Sequence, residues 1–311
     1  MKKIIFIIIV VIILSGFATS CKNDDTQGEK EKVETTVKKA KDYQNNLNIS
    51  ILIDLSDRIS PKKYPNSTME YYERDLGYIQ SISNSFVNHL KGKRIRQMND
   101  KIQVFFNPEP QNPEINAISR SLKFQIDKNN VSEQLSQIGK MYSEEVSKIY
   151  DLAIQDDKYV GADIWRFFQN KLEDYCIDEK SRNILIVLTD GYMYHQDTKI
   201  IENGRTSYLT SKLVKSNQLN KPDWRQKIQE NDLGFIKSNE DLSDIEVLVL
   251  GINPDSNNPY EEDVIKMYWS NWLKEMKVKH IEIKSTDLPS NTDKIIKDFI
   301  TKNGVSEKMA L

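Results

Sequence analysis

Two short aliphatic runs, each followed by a carboxylate, most constrain the fold of this chain. The first, Ile49–Ile53, precedes Asp54-Leu55-Ser56-Asp57-Arg58-Ile59-Ser60, and the second, Asn183–Leu188, precedes Thr189-Asp190-Gly191. Strands this apolar are typical of a parallel sheet buried on both faces. Because such sheets bind ligands at the carboxyl ends of their strands, two carboxylates and two hydroxyls are expected to meet there. These groups belong to Asp54, Ser56, Thr189 and Asp190. Clustered hard oxygen atoms suit Mg²⁺, Ca²⁺ or Mn²⁺.

Composition narrows the class of protein. The 311 residues are 38% apolar and 29% charged, enough for one large domain with a core or for two small ones. The formal net charge of −2 shows no bias toward nucleic acid, so we expect no nucleic-acid partner. The two cysteines, Cys21 and Cys176, exclude a disulfide scaffold.

Residues 1–20 have the pattern of a signal peptide. Met1-Lys2-Lys3 is basic, residues 4–14 are almost purely aliphatic, and a cleavage region follows. The apolar run is too short for a spanning helix. The ending Ala18-Thr19-Ser20-Cys21 resembles a bacterial lipoprotein lipobox, which implies lipid on Cys21 after cleavage. The alternative is a plain secretory signal with an incidental cysteine.

The segment after Cys21 favours a membrane-tethered domain. Lys22-Asn23-Asp24-Asp25 resembles the export signal of Bacteroidetes surface lipoproteins, although a solvated linker would have the same composition. Residues 21–46 are polar and charged and are predicted to form a flexible tether. We therefore expect a lipid anchor in a bacterial membrane, with the outer membrane favoured.

Residues 47–303 are predicted to form one α/β domain. The apolar periodicity gives the order strand, helix, strand, strand, helix, helix, strand, helix, strand, helix, strand, helix. This alternation predicts a three-layer α/β/α fold with a doubly wound, mostly parallel sheet. The strand at Leu122–Ile126 alternates with polar residues and is predicted as an antiparallel edge strand. Residues 192–242 are predicted as an insertion near the site, a hairpin or loop followed by a helix, and residues 304–311 as a tail.

Three motifs in this order resemble those of the von Willebrand factor type A domain. They are Asp54-Leu55-Ser56 after the first strand, Gly161-Ala162-Asp163-Ile164 before a helix, and Leu188-Thr189-Asp190-Gly191 after the fourth strand. The resemblance implies a metal-ion-dependent adhesion site with a divalent cation, Mg²⁺ above all. The ligands that it implies are Asp54, Ser56, Asp163 and Asp190. The residues expected around them are Asp57, Arg58, Ser60 and Thr189.

The sequence departs from the family pattern in two places. Arg58 stands where the family has the last serine of Asp-x-Ser-x-Ser, and Ala162-Asp163 stand where it usually has threonine. Converging carboxylates without a cation repel one another, so a positive charge is expected among them. It could be a divalent ion, or the Arg58 guanidinium in an ion-pair network without metal. The third alternative is that the carboxylates do not converge, and Asp163 could simply cap the helix that follows it.

These observations leave three functions open. The first is a membrane-anchored binding module that engages an unknown protein partner with the help of a metal. The second is a metal-dependent hydrolase of the phosphoesterase kind, in which His195 could act as acid or base. The third is an envelope scaffold without a metal.

Overall fold

The computed structural model describes residues 45–159, 161–254 and 257–301. Their strands are β1 (Leu47–Ile53), β2 (Asn99–Phe105), β3 (Phe124–Asp127), β4 (Arg182–Leu188), β5 (Ile201–Glu202), β6 (Arg205–Thr206), β7 (Gly234–Phe235), β8 (Ile245–Ile252) and β9 (His280–Ser285). Their helices are α1 (Tyr71–Lys91), α2 (Pro113–Ser121), α3 (Val131–Asp156), α4 (Ile164–Asn170), α5 (Leu172–Cys176), α6 (Ser211–Ser216), α7 (Trp224–Glu230), α8 (Glu261–Glu275) and α9 (Pro289–Thr301).

The main sheet has six strands in the order β3-β2-β1-β4-β8-β9. All neighbouring pairs are parallel except β2 with β3, which is antiparallel and lies at one edge. The order reverses between β1 and β4, as in doubly wound sheets, where ligands bind beside that point. The predicted α/β fold and its antiparallel edge strand are therefore confirmed.

Alternate residues of the central strands pack on two separate layers of helices. Ile184, Ile186 and Leu188 join a core formed with α1, α3 and α9. Leu185 and Val187 face the other way, into a core formed with α4, α5 and α8. Every residue of β1, β4 and β8 is buried, as the aliphatic runs predicted.

Two regions differ from the expectation in detail. Helix α2 was not predicted, because only Ile115 and Ile118 of its nine residues are buried and prolines precede and begin it. Residues 192–242 contain more than a hairpin and one helix. They form a three-stranded sheet, β5-β6-β7, and the two short helices α6 and α7.

The predicted signal peptide, most of the tether and the tail lie outside the described residues. Within the described ranges, no helix is long and apolar enough to cross a membrane.

A buried ion pair closes the amino end of the sheet. Arg182 donates from Nε and Nη2 to the two carboxylate oxygens of Glu246, at 2.9 and 2.7 Å. Its Nη1 and Nη2 also donate to the carbonyls of Ile300 and Phe299, both at 2.6 Å. The guanidinium thereby joins β4, β8 and the last turn of α9.

We expect Arg182→Met to lower the free energy of unfolding by about 3 kcal/mol, because Glu246 would lose its bidentate partner in the interior. Lys279 and His280, 3.6 and 3.7 Å from Glu246, keep the loss near the lower end of the usual range. Urea denaturation measures the change. The matched control is Lys148→Met, which removes an exposed ion pair with Glu145 and should leave the midpoint unchanged. Equal midpoints for Arg182→Met and wild type would contradict this account.

Candidate functional site

The loops after β1 and β4 meet at the carboxyl end of the sheet. The backbone N–H of Asp54 donates to the carbonyl of Leu188 at 3.0 Å. One carboxylate oxygen of Asp54 accepts from the backbone N–H of Ser56 at 2.8 Å, and the other from the hydroxyl of Thr189 at 2.9 Å. Asp54 and Thr189 are both buried, so these hydrogen bonds replace those to water.

The Arg58 guanidinium lies inside this cluster. Its Nε donates to the carbonyl of Asp54 at 3.0 Å and lies 3.7 Å from the Asp54 carboxylate. Its Nη2 donates to the carbonyl of Leu188 at 3.1 Å and to the carboxylate of Asp75 at 2.5 Å. The same Asp75 oxygen accepts from the hydroxyl of Tyr150 at 2.9 Å. One cation therefore joins the loop after β1, the end of β4, and α1, and reaches α3 through Asp75.

Burial and charge act in opposite directions on this network. Burial by itself would lower the pKa of Arg58, but the carboxylates of Asp75 and Asp54 outweigh it, and the pKa is raised. Burial raises the pKa of Asp75, while Arg58 and the hydroxyl of Tyr150 oppose that rise. The guanidinium is thus the charge that allows Asp75 and Asp54 to be buried together.

Asp190 is placed differently from Asp54. It is half-buried, and its carboxylate accepts from the backbone N–H of Tyr192 at 3.0 Å. Its carbonyl accepts from the backbone N–H of Asn253 at 2.9 Å, which ties the loop after β4 to the end of β8. Burial, followed by the negative charge of Asp54, raises the pKa of Asp190 to about 7, although Arg58 opposes this.

Helix α8 fixes the peptide that follows Asp190. Gly191 has φ +97°, and a Cβ there would lie 2.5 Å from Cγ2 of Ile265 and 2.7 Å from Cδ1 of Ile252. The indole N–H of Trp269 donates to the carbonyl of Gly191 at 2.9 Å. A side chain at position 191 would therefore be strained and would collide with the core.

Asp163 contacts a different set of residues. It caps α4, where one oxygen accepts from the backbone N–H of Arg166 at 3.1 Å. The other accepts a hydrogen bond from the Thr198 hydroxyl and lies 3.4 Å from Nε of Arg166 and 3.7 Å from Nδ1 of His195. Within the described ranges, no hydrogen bond or ion pair joins Asp163 to Asp54, Arg58 or Asp190.

The remaining expected residues lie on the turn after β1. Ser56 contacts Asp54 through its backbone N–H. Asp57 forms an exposed ion pair with Lys63 at 3.1 Å. Ser60 is buried, and its carbonyl accepts from the backbone N–H of Tyr64 at 2.9 Å. These contacts shape the turn and carry Tyr64 to the rim of the site.

In the described part of the chain, two pockets of more than 400 Å³ open at this end of the sheet. The first, which we call the tyrosine pocket, has a volume of about 460 Å³ and contains Asp190 and Arg58 in its wall. Its aromatic lining residues are Tyr64, Tyr71 and Tyr192. The second, of about 430 Å³, is lined in part by Ser56, Asp57 and Tyr194. Tyr64 and Tyr194 are among the exposed large hydrophobic side chains of the described ranges, at 47% and 40%.

Sequence reasoning missed Asp75, Tyr150 and the tyrosines Tyr64 and Tyr71. A signal for Asp75 was present, because it lies four residues before Ile79 on the apolar stripe of α1, where a carboxylate needs a buried partner. Tyr150 similarly lies four residues after the buried Val146 of α3. No sequence pattern indicated Tyr64, which lies in an irregular loop.

The described arrangement does not fit a magnesium site. Both oxygens of Asp54 accept protein hydrogen bonds, and Arg58 occupies the space beside them. Asp163 is held by other partners. Among the described residues, no group of three or more Asp, Glu, His or Cys side chains is placed to hold a metal ion. The described residues do not test metal binding directly, and it stays a prediction from the sequence.

Comparisons with known proteins add no functional assignment. No protein-family model and no curated protein sequence match the chain. An aerotolerance-related membrane protein from Bacteroides fragilis NCTC 9343 is similar in structure, with 14% identity over 82% of this chain and 98% of that one and a TM-score of 0.37. The conserved hypothetical protein BatB from Bacteroides thetaiotaomicron has 14% identity, 82% and 97% coverage, and a TM-score of 0.35.

A pilus adhesin, SpaC from Lactobacillus rhamnosus GG, has 11% identity over 82% of this chain and 30% of that one, with a TM-score of 0.37. Identities and scores this low carry no argument about function. The fold assignment rests on the strand order of the chain itself.

We expect Arg58→Met to lower the free energy of unfolding at pH 7 by about 3–5 kcal/mol, because Asp75 and Asp54 would be left buried without a cation. The folded-state pKa of Asp75, which burial already raises, would then rise further above about 3.9, the value in unfolded chains, because Arg58 would no longer oppose the rise. A raised carboxylate pKa destabilises the fold at high pH, so the loss should shrink as the pH falls toward 4. Urea denaturation at several pH values measures this.

Lys63→Met is the control for Arg58→Met, since it removes an exposed cation from the same turn. It should change stability little at any pH. A loss in Arg58→Met that stays constant from pH 7 to pH 4 would show that the carboxylates do not depend on the guanidinium.

Proposed function

We propose that this chain is a membrane-anchored binding module, similar to a von Willebrand factor type A domain, whose carboxyl edge engages a protein partner. The observation that carries the proposal is that two pockets open at that edge, each lined by an exposed tyrosine. Tyrosine is enriched at protein interfaces because it buries a large area and still forms hydrogen bonds. Doubly wound sheets also bind their ligands at this place.

Binding suits the geometry better than hydrolysis does. Asp54, which would have to activate water or hold a metal, accepts two hydrogen bonds and lies beside a permanent cation. Nδ1 of His195 accepts from the backbone N–H of Asp197 at 3.3 Å and lies 3.7 Å from Asp163. Its ring is thus engaged with residues other than those of the tyrosine pocket.

The sequence supports the anchor. The lipobox ending at Cys21 and the polar residues 22–46 would hold the domain on a tether outside a bacterial membrane. In this proposal the tether would leave the carboxyl edge free to meet a partner. In this proposal the Arg58 guanidinium provides the positive charge that a metal provides in the family.

The interface can be located by photo-crosslinking in the native host. A benzoylphenylalanine at position 64 or 194 should give discrete adducts of one protein, because both side chains are exposed at the proposed interface. Position 95 is the matched control, since Ile95 is 54% exposed and lies at the opposite, amino end of the strands. Adducts from position 95 alone, or from none of the three, would exclude the carboxyl edge as the interface.

The anchor is tested separately by detergent phase partitioning of cell lysates. Wild type should enter the detergent phase, because acyl chains on Cys21 add about 0.8 kcal/mol of membrane affinity per buried methylene. Cys21→Ala should move to the aqueous phase or remain uncleaved. Cys176→Ala is the control, since this thiol is buried in the core and its loss should not change the partitioning. Equal partitioning of wild type and a cleaved Cys21→Ala chain, with cleavage checked by mass, would rule out the lipid anchor.

A further inference from the structure

The tyrosine pocket has the size of a binding site for one side chain with its flanking backbone. Its volume of about 460 Å³ falls within the range of about 300–1,000 Å³ that is usual for ligand pockets. Its walls come from separate parts of the chain, with Tyr64 on the loop after β1, Tyr71 at the start of α1 and Tyr192 after β4.

The charge beside the pocket favours a cation as the ligand. Asp54 and Asp75 lie against the guanidinium of Arg58, and Asp190 lines the same pocket as Arg58, so these four groups are net negative when the carboxylates are ionised. Arg58 is held by Asp75 and by the backbone carbonyls of Asp54 and Leu188. An anionic ligand would therefore meet more negative than positive charge at the floor of the pocket.

Asp190 is the carboxylate that this network leaves without a close cation. In the described part of the chain, no Lys, Arg or His nitrogen lies within 4.0 Å of its oxygens. Its carboxylate accepts a hydrogen bond from the backbone N–H of Tyr192.

The aromatic walls select the kind of cation. Tyrosine faces attract ammonium and guanidinium groups, and an organic cation can also bury its aliphatic stem against the rings and prolines. Tyr71 already holds one guanidinium in this way, with Arg74 at 5.1 Å from its ring centroid. A small hydrated ion such as Mg²⁺ requires several oxygen ligands in octahedral geometry, and these walls do not supply them.

We propose that the tyrosine pocket binds a lysine or arginine side chain of the protein partner, with the cation against Asp190 and the stem between Tyr64, Tyr71 and Tyr192. This rests on the proposed function, and it names the chemistry by which the partner is recognised. The partner should therefore present a basic residue, where a metal-dependent adhesion site would call for an acidic one.

The test is a titration of the purified full chain in non-ionic detergent, labelled with ¹³C in its tyrosine rings. The probe is N-acetyl-lysine methylamide, and its neutral counterpart is N-acetyl-norleucine methylamide. The lysine probe should shift the ring resonances of Tyr64, Tyr71 and Tyr192 saturably and leave Tyr175 unchanged. Resonances are assigned by single Tyr→Phe substitutions. The norleucine probe should bind about tenfold more weakly or not at all.

Asp190→Asn should weaken the lysine probe by about tenfold or more, since the carboxylate would be lost while the pocket keeps its shape. The matched control is Asp241→Asn before β8, whose carboxylate pairs with Lys277 outside the tyrosine pocket and whose loss should change affinity less than about twofold. Should Asp190→Asn fail to fold, Tyr64→Ala replaces it, because that side chain is exposed and its loss should also weaken binding.

Three outcomes would overturn the proposal. They are equal binding of the lysine and norleucine probes, unchanged lysine affinity in Asp190→Asn, and saturable shifts with Mg²⁺ alone that exclude the lysine probe. The last would restore the magnesium prediction. Crosslinks from positions 64 and 194 without lysine binding would leave the proposed function intact and reject the cation pocket. Lysine binding without crosslinks would keep the cation pocket and reject the carboxyl edge as the protein interface.

Discussion

A single buried guanidinium organises the carboxyl end of this sheet. Arg58 can be buried only because Asp54 and Asp75 neutralise it, and those carboxylates can be buried only because it is present. Its hydrogen bonds to the carbonyls of Asp54 and Leu188 also satisfy backbone groups at the ends of β1 and β4. The positions of the site residues therefore depend on this one side chain.

The two ends of the sheet use the same chemistry with different results. At the amino end, Nε and Nη2 of Arg182 donate to the two carboxylate oxygens of Glu246. Two carbonyls of α9 accept further hydrogen bonds from Nη1 and Nη2. At the carboxyl end, Asp54 and Asp75 share one guanidinium, and Asp190 lies beside an open pocket without a close cation. The amino end is closed and structural, while the carboxyl end keeps uncompensated charge available for a ligand.

The fold was largely predictable from the sequence, because burial on both faces leaves its mark as aliphatic runs. Ile49–Ile53 and Asn183–Leu188 indicated the centre of the sheet, and the polar alternation around Phe124 and Ile126 indicated the antiparallel edge. Helix α2 escaped notice because two buried isoleucines do not make a detectable stripe.

The site was predictable only in part. The approach of Asp54 and Thr189 follows from strand ends that share one edge. The direction in which Arg58 points could not be predicted from the strand ends. It depends on Asp75 of α1, and the packing of that helix onto the sheet is not encoded in the local sequence. Asp163 also illustrates this limit, since a carboxylate before a helix can cap it or turn toward a neighbouring loop, and the local sequence is the same in both cases.

The packing around Gly191 limits which residues of the tyrosine pocket can be substituted. Trp269, Ile252 and Ile265 contact Gly191 from the core, so the position of the neighbouring Asp190 depends on the packing of the hydrophobic interior. Tyr64 lies in an irregular loop, and its side chain is 47% exposed. Residues at the rim can therefore be substituted, which would change the ligand that fits, while the acidic charge of Asp190 in the pocket is kept.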